Sequence, residues 1–243
     1  MLSPRAEALR QPLAALWTEI RTLLSEPAFD PAAENRTLRL AMTDAQATVL
    51  LAPLVKRVAA AAPGVVVQWV PVGPGLSDRM ISGEVDLTLV LDTTPLPRGA
   101  ASELLMTDSL AVVVRAGHPS GGVWPIAHYA TYPSVIVSLL GDRASDLDAE
   151  LAASGIERPV AAIVPTFRAA AEIVAVTDAV TTISRAFAER VGSALGLQLL
   201  APPLADPQMR IVTVWATYRG TDPLLAWFRA TLRAVADDAA RVR

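Results

Sequence analysis

Arg36 to Pro71 reads RTLRLAMTDAQATVLLAPLVKRVAAAAPGVVVQWVP, and its pattern is strand, sharp turn, helix, break and second strand. That is one complete βαβ unit. From Thr37 to Met42, polar positions alternate with Leu38, Leu40 and Met42, the period of a strand with one face in a core. Thr43 and Asp44 then offer side-chain oxygens to the free amides of a helix's first turn. Leu50, Leu51, Leu54, Val55 and Val58 recur at helical spacing and read as one apolar stripe. Pro63-Gly64 stops that helix, and Val65 to Val70 runs back as a buried strand. In open α/β sheets, ligands gather where a strand's carboxyl end meets a helix amino terminus. Thr43, Asp44 and the adjoining Ala45 therefore form a candidate ligand-facing turn.

The chain around this unit has 243 residues, 52% hydrophobic and 19% charged, with a formal net charge of -3. It can bury one large core or two smaller ones. A mildly acidic balance gives no electrostatic reason for these residues to bind nucleic acid themselves. With no cysteine, disulfides, thiolate catalysis and cysteine-based zinc sites are excluded. The opening MLSPRAEALRQPLAALW lacks the apolar core and cleavage site of a signal peptide, and no run approaches the ~18 apolar residues of a membrane span. A cytoplasmic protein is expected.

Residues 1–26 stand apart. Leu9, Leu13, Leu16, Ile20 and Leu23 step by four and three as a short helical seam, suited either to packing on its own domain or to a dimerisation helix. Pro12 should kink or restart it. Residues 27–35 read as a linker, which favours dimerisation. Beyond the βαβ unit come a short helix at Leu76–Ile81, a strand at Val85–Leu91, and strands at Glu103–Met106 and Leu110–Arg115. Gly117–Pro125 is dense in breakers and reads as a crossover. A second α/β pattern follows: strands near Ser134–Leu139, Val160–Val164 and Ala179–Ile183 alternate with helices at Ser145–Ala153, Thr166–Val176 and Ala186–Leu195. Leu197–Leu200 is a further candidate strand. Arg210–Thr217 returns to the first half, and Asp222-Pro223 opens a closing helix. The expected architecture is α/β, with lobe I at 36–117 plus 210–243, lobe II at 118–209, and a ligand cleft between them.

Five segments in this order resemble the LysR-type transcriptional regulators: RTLRLAMTD with its Leu-rich helix and APGVVVQWVPV, GEVDLTLVL, SLAVVVRAGHP, VPTFRAAAEIVAVTD and VWATYRGTDPLLAWFR. LSPRAEALRQPLAALWTEIRTLL is similar to the family's subunit-pairing linker helix. The resemblance covers nearly the whole chain. It implies two Rossmann-like lobes joined by two crossovers, like the type 2 periplasmic binding proteins, with a small inducer between them and a dimer or tetramer as the working form. No cofactor or metal is implied. The family's winged helix-turn-helix is missing here, so DNA binding is implied only for a longer protein carrying one. The DP…W ending and the VP-x-F segment most resemble the branch that answers to aromatic compounds. A stand-alone cytoplasmic binding protein of the same fold is the competing reading.

The expected ligand-facing residues fall at strand ends and helix starts. At least one of Thr43 and Asp44 serves as a helix cap, whatever else they do. Leu91 and Asp92 end a strand, as do Ser138 and Leu139, and Ser138 has a hydroxyl to offer. Pro165, Thr166, Phe167 and Arg168 begin the helix across the cleft. Phe167 suits the core equally, and Arg168 suits either the surface or an inducer carboxylate. Trp215 reads as core packing ahead of ligand stacking. In aromatic-responsive members, His tends to stand at the position of Thr166 and Arg at that of Tyr218, so their carboxylate pattern does not carry over. Arg168 or Arg219 would have to substitute, and neutral aromatics are equally allowed. Enzyme readings lack support: HExxH, GxSxG, a Walker A loop and GxGxxG are all absent. His118 and His128 lack metal-ligand spacing and read as surface or structural residues.

Overall fold

The structure, a computed structural model, describes residues 29–139, 146–205 and 207–241, with 5, 9, 11–14, 16 and 17 near the amino terminus. Leu9, Leu13 and Leu16 are helical and about half exposed, at 47%, 58% and 53%. Ile20 and Leu23, the rest of the expected seam, lie outside the described residues.

The first half opens with β1 (Thr37–Ala41), α1 (Asp44–Ala61) and β2 (Val66–Val70). Leu38 and Leu40 point into the core while Thr37 and Arg39 stay out, as the period of two requires. On α1, the buried residues are Ala45, Ala47, Leu50, Leu54 and Val58. Val55 corrects the stripe read from the sequence. It is 43% exposed, because Leu50, Leu54 and Val58 follow one another every four residues and Val55 sits a further ~100° round the helix. β2 is a second correction. It is the edge strand, with Val66 and Trp69 exposed, because it pairs only with β1. Gly64 is required here for space: a Cβ would meet Asn35 Oδ1 at 2.3 Å and the Glu34 carbonyl at 2.4 Å.

After α2 (Leu76–Ile81) and β3 (Leu87–Leu91) comes β4 (Ala100–Arg115), a strand of 16 residues. The two short strands expected in this region are one. The register shifts between Leu104 and Met106, and the strand continues through Asp108 with its ladder intact. The second half contains α3 (His128–Thr131), β5 (Ser134–Val137), α4 (Asp146–Ala153), β6 (Val160–Val164), α5 (Phe167–Ala175) and β7 (Thr181–Ser184). It closes with α6 (Arg185–Leu195) and β8 (Leu197–Leu200). Gly196 ends α6 at φ 63°, the left-handed conformation that favours glycine. β9 (Gln208–Ala216) and α7 (Pro223–Arg241) return to the first half.

One curled, mixed sheet runs in the order β2-β1-β3-β9-β4-β7, with β8 also on β4. Ala100–Ser109 pairs with β9, whereas Leu110–Arg115 pairs with β7 and β8. The hand-over between halves therefore lies inside β4, ahead of the breaker-rich Gly117–Pro125. β5 and β6 pair in parallel beside β7, tied by the Val135 amide to the Val180 carbonyl at 2.8 Å.

The first core gathers Leu38, Leu40, Leu50 and Leu54 against Leu224, Phe228 and Leu232 of α7. Phe228 is wholly buried, which stabilises the fold by about 1.5–3 kcal/mol. A second core joins Val113, Val135, Ala171, Val174, Phe187 and Val191. Ala45 of α1 belongs to this second core, so the first helix of one half begins against the other.

Candidate functional site

At the carboxyl end of β1 the chain turns into α1 at Thr43, whose backbone is extended. The Thr43 hydroxyl accepts from the Gln46 amide at 3.2 Å, and the Gln46 side-chain oxygen accepts from the Thr43 amide at 2.9 Å. This reciprocal capping box leaves the hydroxyl proton to donate elsewhere. The Trp69 indole N–H donates to the Met42 carbonyl at 2.9 Å and fixes the turn against β2.

Facing this turn is the amino end of α5, where the Thr166 hydroxyl accepts from the Ala169 amide at 3.3 Å. Asp44 reaches it from α1. Its Oδ1 accepts from the Phe167 amide at 3.1 Å and its Oδ2 from the Arg168 amide at 2.9 Å. A carboxylate from one half thus satisfies the free amides, and complements the positive dipole end, of a helix in the other. The amino end of α6 is arranged alike. The Ser184 hydroxyl accepts from the Phe187 amide at 3.2 Å and donates to the buried Asp108 carboxylate, whose other oxygen accepts from the Ala186 amide at 3.3 Å.

Between these helix starts lies a cavity of about 800 Å³. Thr43, Ala45 and Gln46 form one wall and Thr88–Leu91 of β3 another, while Val135–Val137, Phe167 and Thr182–Ser184 come from the second half. Residues 72–77, which run into α2, and 93–97 complete the lining. The volume suits a drug-sized molecule and the lining is mainly aliphatic. Its charged groups are already engaged. Arg158 forks Asp148 at 2.6 and 2.9 Å, Arg210 pairs with Asp92 at 2.8 Å, and Glu150 accepts from the Ala205 amide at 3.2 Å. The uncharged polar groups differ. Thr88 is 4% exposed, and its hydroxyl has no hydrogen-bond partner among the described residues. Thr182 shares a hydrogen bond with the Tyr129 hydroxyl at 2.8 Å, and burial pushes the Tyr129 phenol up to about 12.

The same architecture recurs in known proteins. Residues 31–237 match the LysR substrate binding domain. The chain belongs to the LysR family. It is 30% identical over 230 residues to the HTH-type transcriptional activator NagR of a Ralstonia species, covering 93% of this chain and 76% of that protein. The HTH-type transcriptional regulator SyrM of Rhizobium meliloti is 29% identical over 241 residues, covering 98% and 73%. A probable transcriptional regulator from Pseudomonas aeruginosa superposes with a TM-score of 0.78 at 30% identity, covering 96% of this chain and 78% of that one. The regulatory domain of MexT, a transcriptional activator in the same organism, gives 0.74 at 25% identity, covering 84% and 100%. The relatives are transcriptional regulators and not enzymes. The fold is that of LysR effector-binding domains, of the periplasmic-binding-protein-like type. No helix of the described residues is long and apolar enough to cross a membrane.

Within this LysR domain, Thr43, Ala45, Leu91, Asp92, Leu139 and Phe167 line the cavity. Asp44 stands behind its wall, bonded to α5. Thr166 caps α5 and Pro165 before it is exposed. Arg168 is exposed and holds Glu172 at 2.8 and 2.5 Å, one helical turn on. Ser138 is buried behind β5, its amide donating to the Val164 carbonyl at 2.9 Å. Trp215 is in the first core with the Arg229 guanidinium 3.7 Å from its ring, and Tyr218 is 61% exposed. Arg219 binds Asp86 at 2.9 Å and Asp222 at 3.0 Å at the base of the first half. His118 accepts from the Ser120 amide and meets the Asp178 carbonyl, within an aromatic cluster with Trp124 and Tyr132. Thr88, Asp108, Thr182 and Ser184 are among the lining residues that sequence reasoning missed. For Asp108, the available signal was an acidic residue inside a long apolar strand.

Proposed function

We propose that this LysR domain senses a small aromatic molecule in the cavity between its halves. The signal then passes to DNA binding through a homodimer or tetramer of cytoplasmic chains. The carrying observation is an apolar cavity of about 800 Å³ whose walls come from both halves. A molecule that touches both can favour one relative placement over another by its differential affinity. The resemblance to the aromatic-responsive branch supports the class of ligand, and the mainly aliphatic lining supports an apolar body. A thermal-shift screen of mono- and bicyclic aromatics tests this reading. A ligand at a hundred times its Kd adds about 2.7 kcal/mol, or roughly 5–10 °C in a chain of this size. Leu91→Trp places an indole against the cavity wall and should weaken binding about tenfold or more while the chain stays folded. A panel that never moves the melting temperature, or a response indifferent to Leu91→Trp, would sink the proposal.

A further inference from the structure

We propose that Asp44 makes this cavity selective for uncharged effectors. The inference rests on the cavity's being the effector site. A carboxylate ligand entering between two lobes would look for free amides at a helix start or for an arginine fork. Here the amides of the two facing helix starts and the lining arginines are engaged by carboxylates of the chain itself. The Phe167 and Arg168 amides of α5 hold the two oxygens of Asp44 at 3.1 and 2.9 Å, and the Ala186 amide of α6 holds Asp108. At the start of α1 the Thr43 and Gln46 amides are taken up by the reciprocal capping box, and the acidic Asp44 itself stands in the first turn. Of the cationic side chains among the described lining residues, Arg158 is forked on Asp148 and Arg210 pairs with Asp92 through one contact. Arg168, the sequence's candidate clamp, is outside the lining and paired with Glu172.

Asp44 does more than use up donors. Its neighbours Thr43 and Ala45, and its partner Phe167, all line the cavity, so its charge stands directly behind the wall. A second carboxylate there would meet an anion across a low-dielectric gap, where like charges repel far more strongly than in water. The polar groups with capacity to spare are neutral ones. The Thr43 hydroxyl keeps its proton, and the Gln46 side chain, whose oxygen is in the capping box, keeps its amide N–H groups to donate. These suit a phenol, ketone or amide on an apolar ring system. Asp44 therefore works as a built-in counterpart of the anion a carboxylate effector would bring, and determines specificity by occupying its place.

Calorimetry with matched probes tests the proposal: the carboxamide and the carboxylate of naphthalene, and the same pair on biphenyl, all near neutral pH. The wild-type chain should take each amide about tenfold or more tighter than its acid. Asp44→Asn keeps the side chain's shape and removes its charge. In it the acids should gain about tenfold, while the amides change less than about threefold. Asp44→Ser supplies a second variant with the carboxylate gone, and circular dichroism confirms that each chain folds. Tighter binding of the acids by wild type, or unchanged acid affinity in both variants, overturns the assignment to Asp44 and leaves the cavity reading standing. Silence from all four compounds on all three proteins overturns both.

Discussion

Asp222→Ala removes the carboxylate on which the last helix begins, and the structure sets what that should cost. Asp222 Oδ1 accepts from the Leu224 and Leu225 amides at 3.1 and 3.3 Å, a cap contributing about 1 kcal/mol. Arg36 donates to both carboxylate oxygens at 3.1 and 2.6 Å, but its side chain is 41% exposed, so screening leaves about 0.5 kcal/mol. Arg219, 20% exposed, donates at 3.0 Å and would keep Asp86 after the truncation, so the loss there is about 1 kcal/mol. Together these give roughly 2–3 kcal/mol, or a melting temperature lower by about 5–10 °C.

The acid limb supplies a second readout on the same residue. Burial works against the charged form, yet the hydrogen bonds from Arg36, Arg219 and the Leu225 amide outweigh it and hold Asp222 at about 2 instead of 3.8. A carboxylate held low contributes fully above about pH 4, and that contribution is lost as pH falls towards about 2. Allowing for screening, wild type should lose about 1 kcal/mol more than Asp222→Ala across that window. Urea denaturation at a series of pH values measures both effects. Asp222→Asn, which keeps an acceptor for the cap, should recover about 1 kcal/mol of the neutral-pH loss. A neutral-pH loss below about 0.5 kcal/mol, or identical acid limbs, would refute the assignment of this network as the anchor of α7.

Tyr129→Phe should cost about 1 kcal/mol at neutral pH by removing the hydrogen bond to Thr182. Because burial raises the wild-type phenol to about 12, wild type should also lose stability as pH climbs from about 10 to about 12, and the Phe variant should lack that limb in alkaline melts. Leu13, helical and 58% exposed, tests the pairing of chains: Leu13→Asp should turn a dimer into a monomer by light scattering, and an unchanged mass would remove this helix from the interface.

Much of the architecture was legible in the residues because it is locally encoded. The alternation of Leu38 and Leu40, the Thr43 cap, and the spacing of Leu50, Leu54 and Val58 need no partner to be read. Thr166 before α5 and Gly196 after α6 are punctuation of the same kind. Burial is different, because it depends on what lies alongside. Val66 and Trp69 carry a strand's composition but lie on an edge, and Val55 carries a core residue's chemistry on a solvent face. The continuity of β4 through Asp108 was hidden for a related reason: the acidic residue breaks the apolar pattern and is satisfied by Ser184 and Ala186, far along the chain.

The sequence by itself determined the βαβ start and most of the element order, since these rest on short-range period, capping chemistry and turn residues, while its five segments carried the resemblance to the family. It also singled out Thr43 and Asp44 at a ligand-facing turn. What only the tertiary structure decided is what Asp44 does there. A side chain's partner 123 residues away is fixed by how two halves pack, and no spacing within the chain encodes it. The same holds for Arg168, which the sequence offered as an anion clamp and the fold leaves on the surface beside Glu172. Local pattern places charged groups on helix starts. Packing then decides which charges face one another across the cleft.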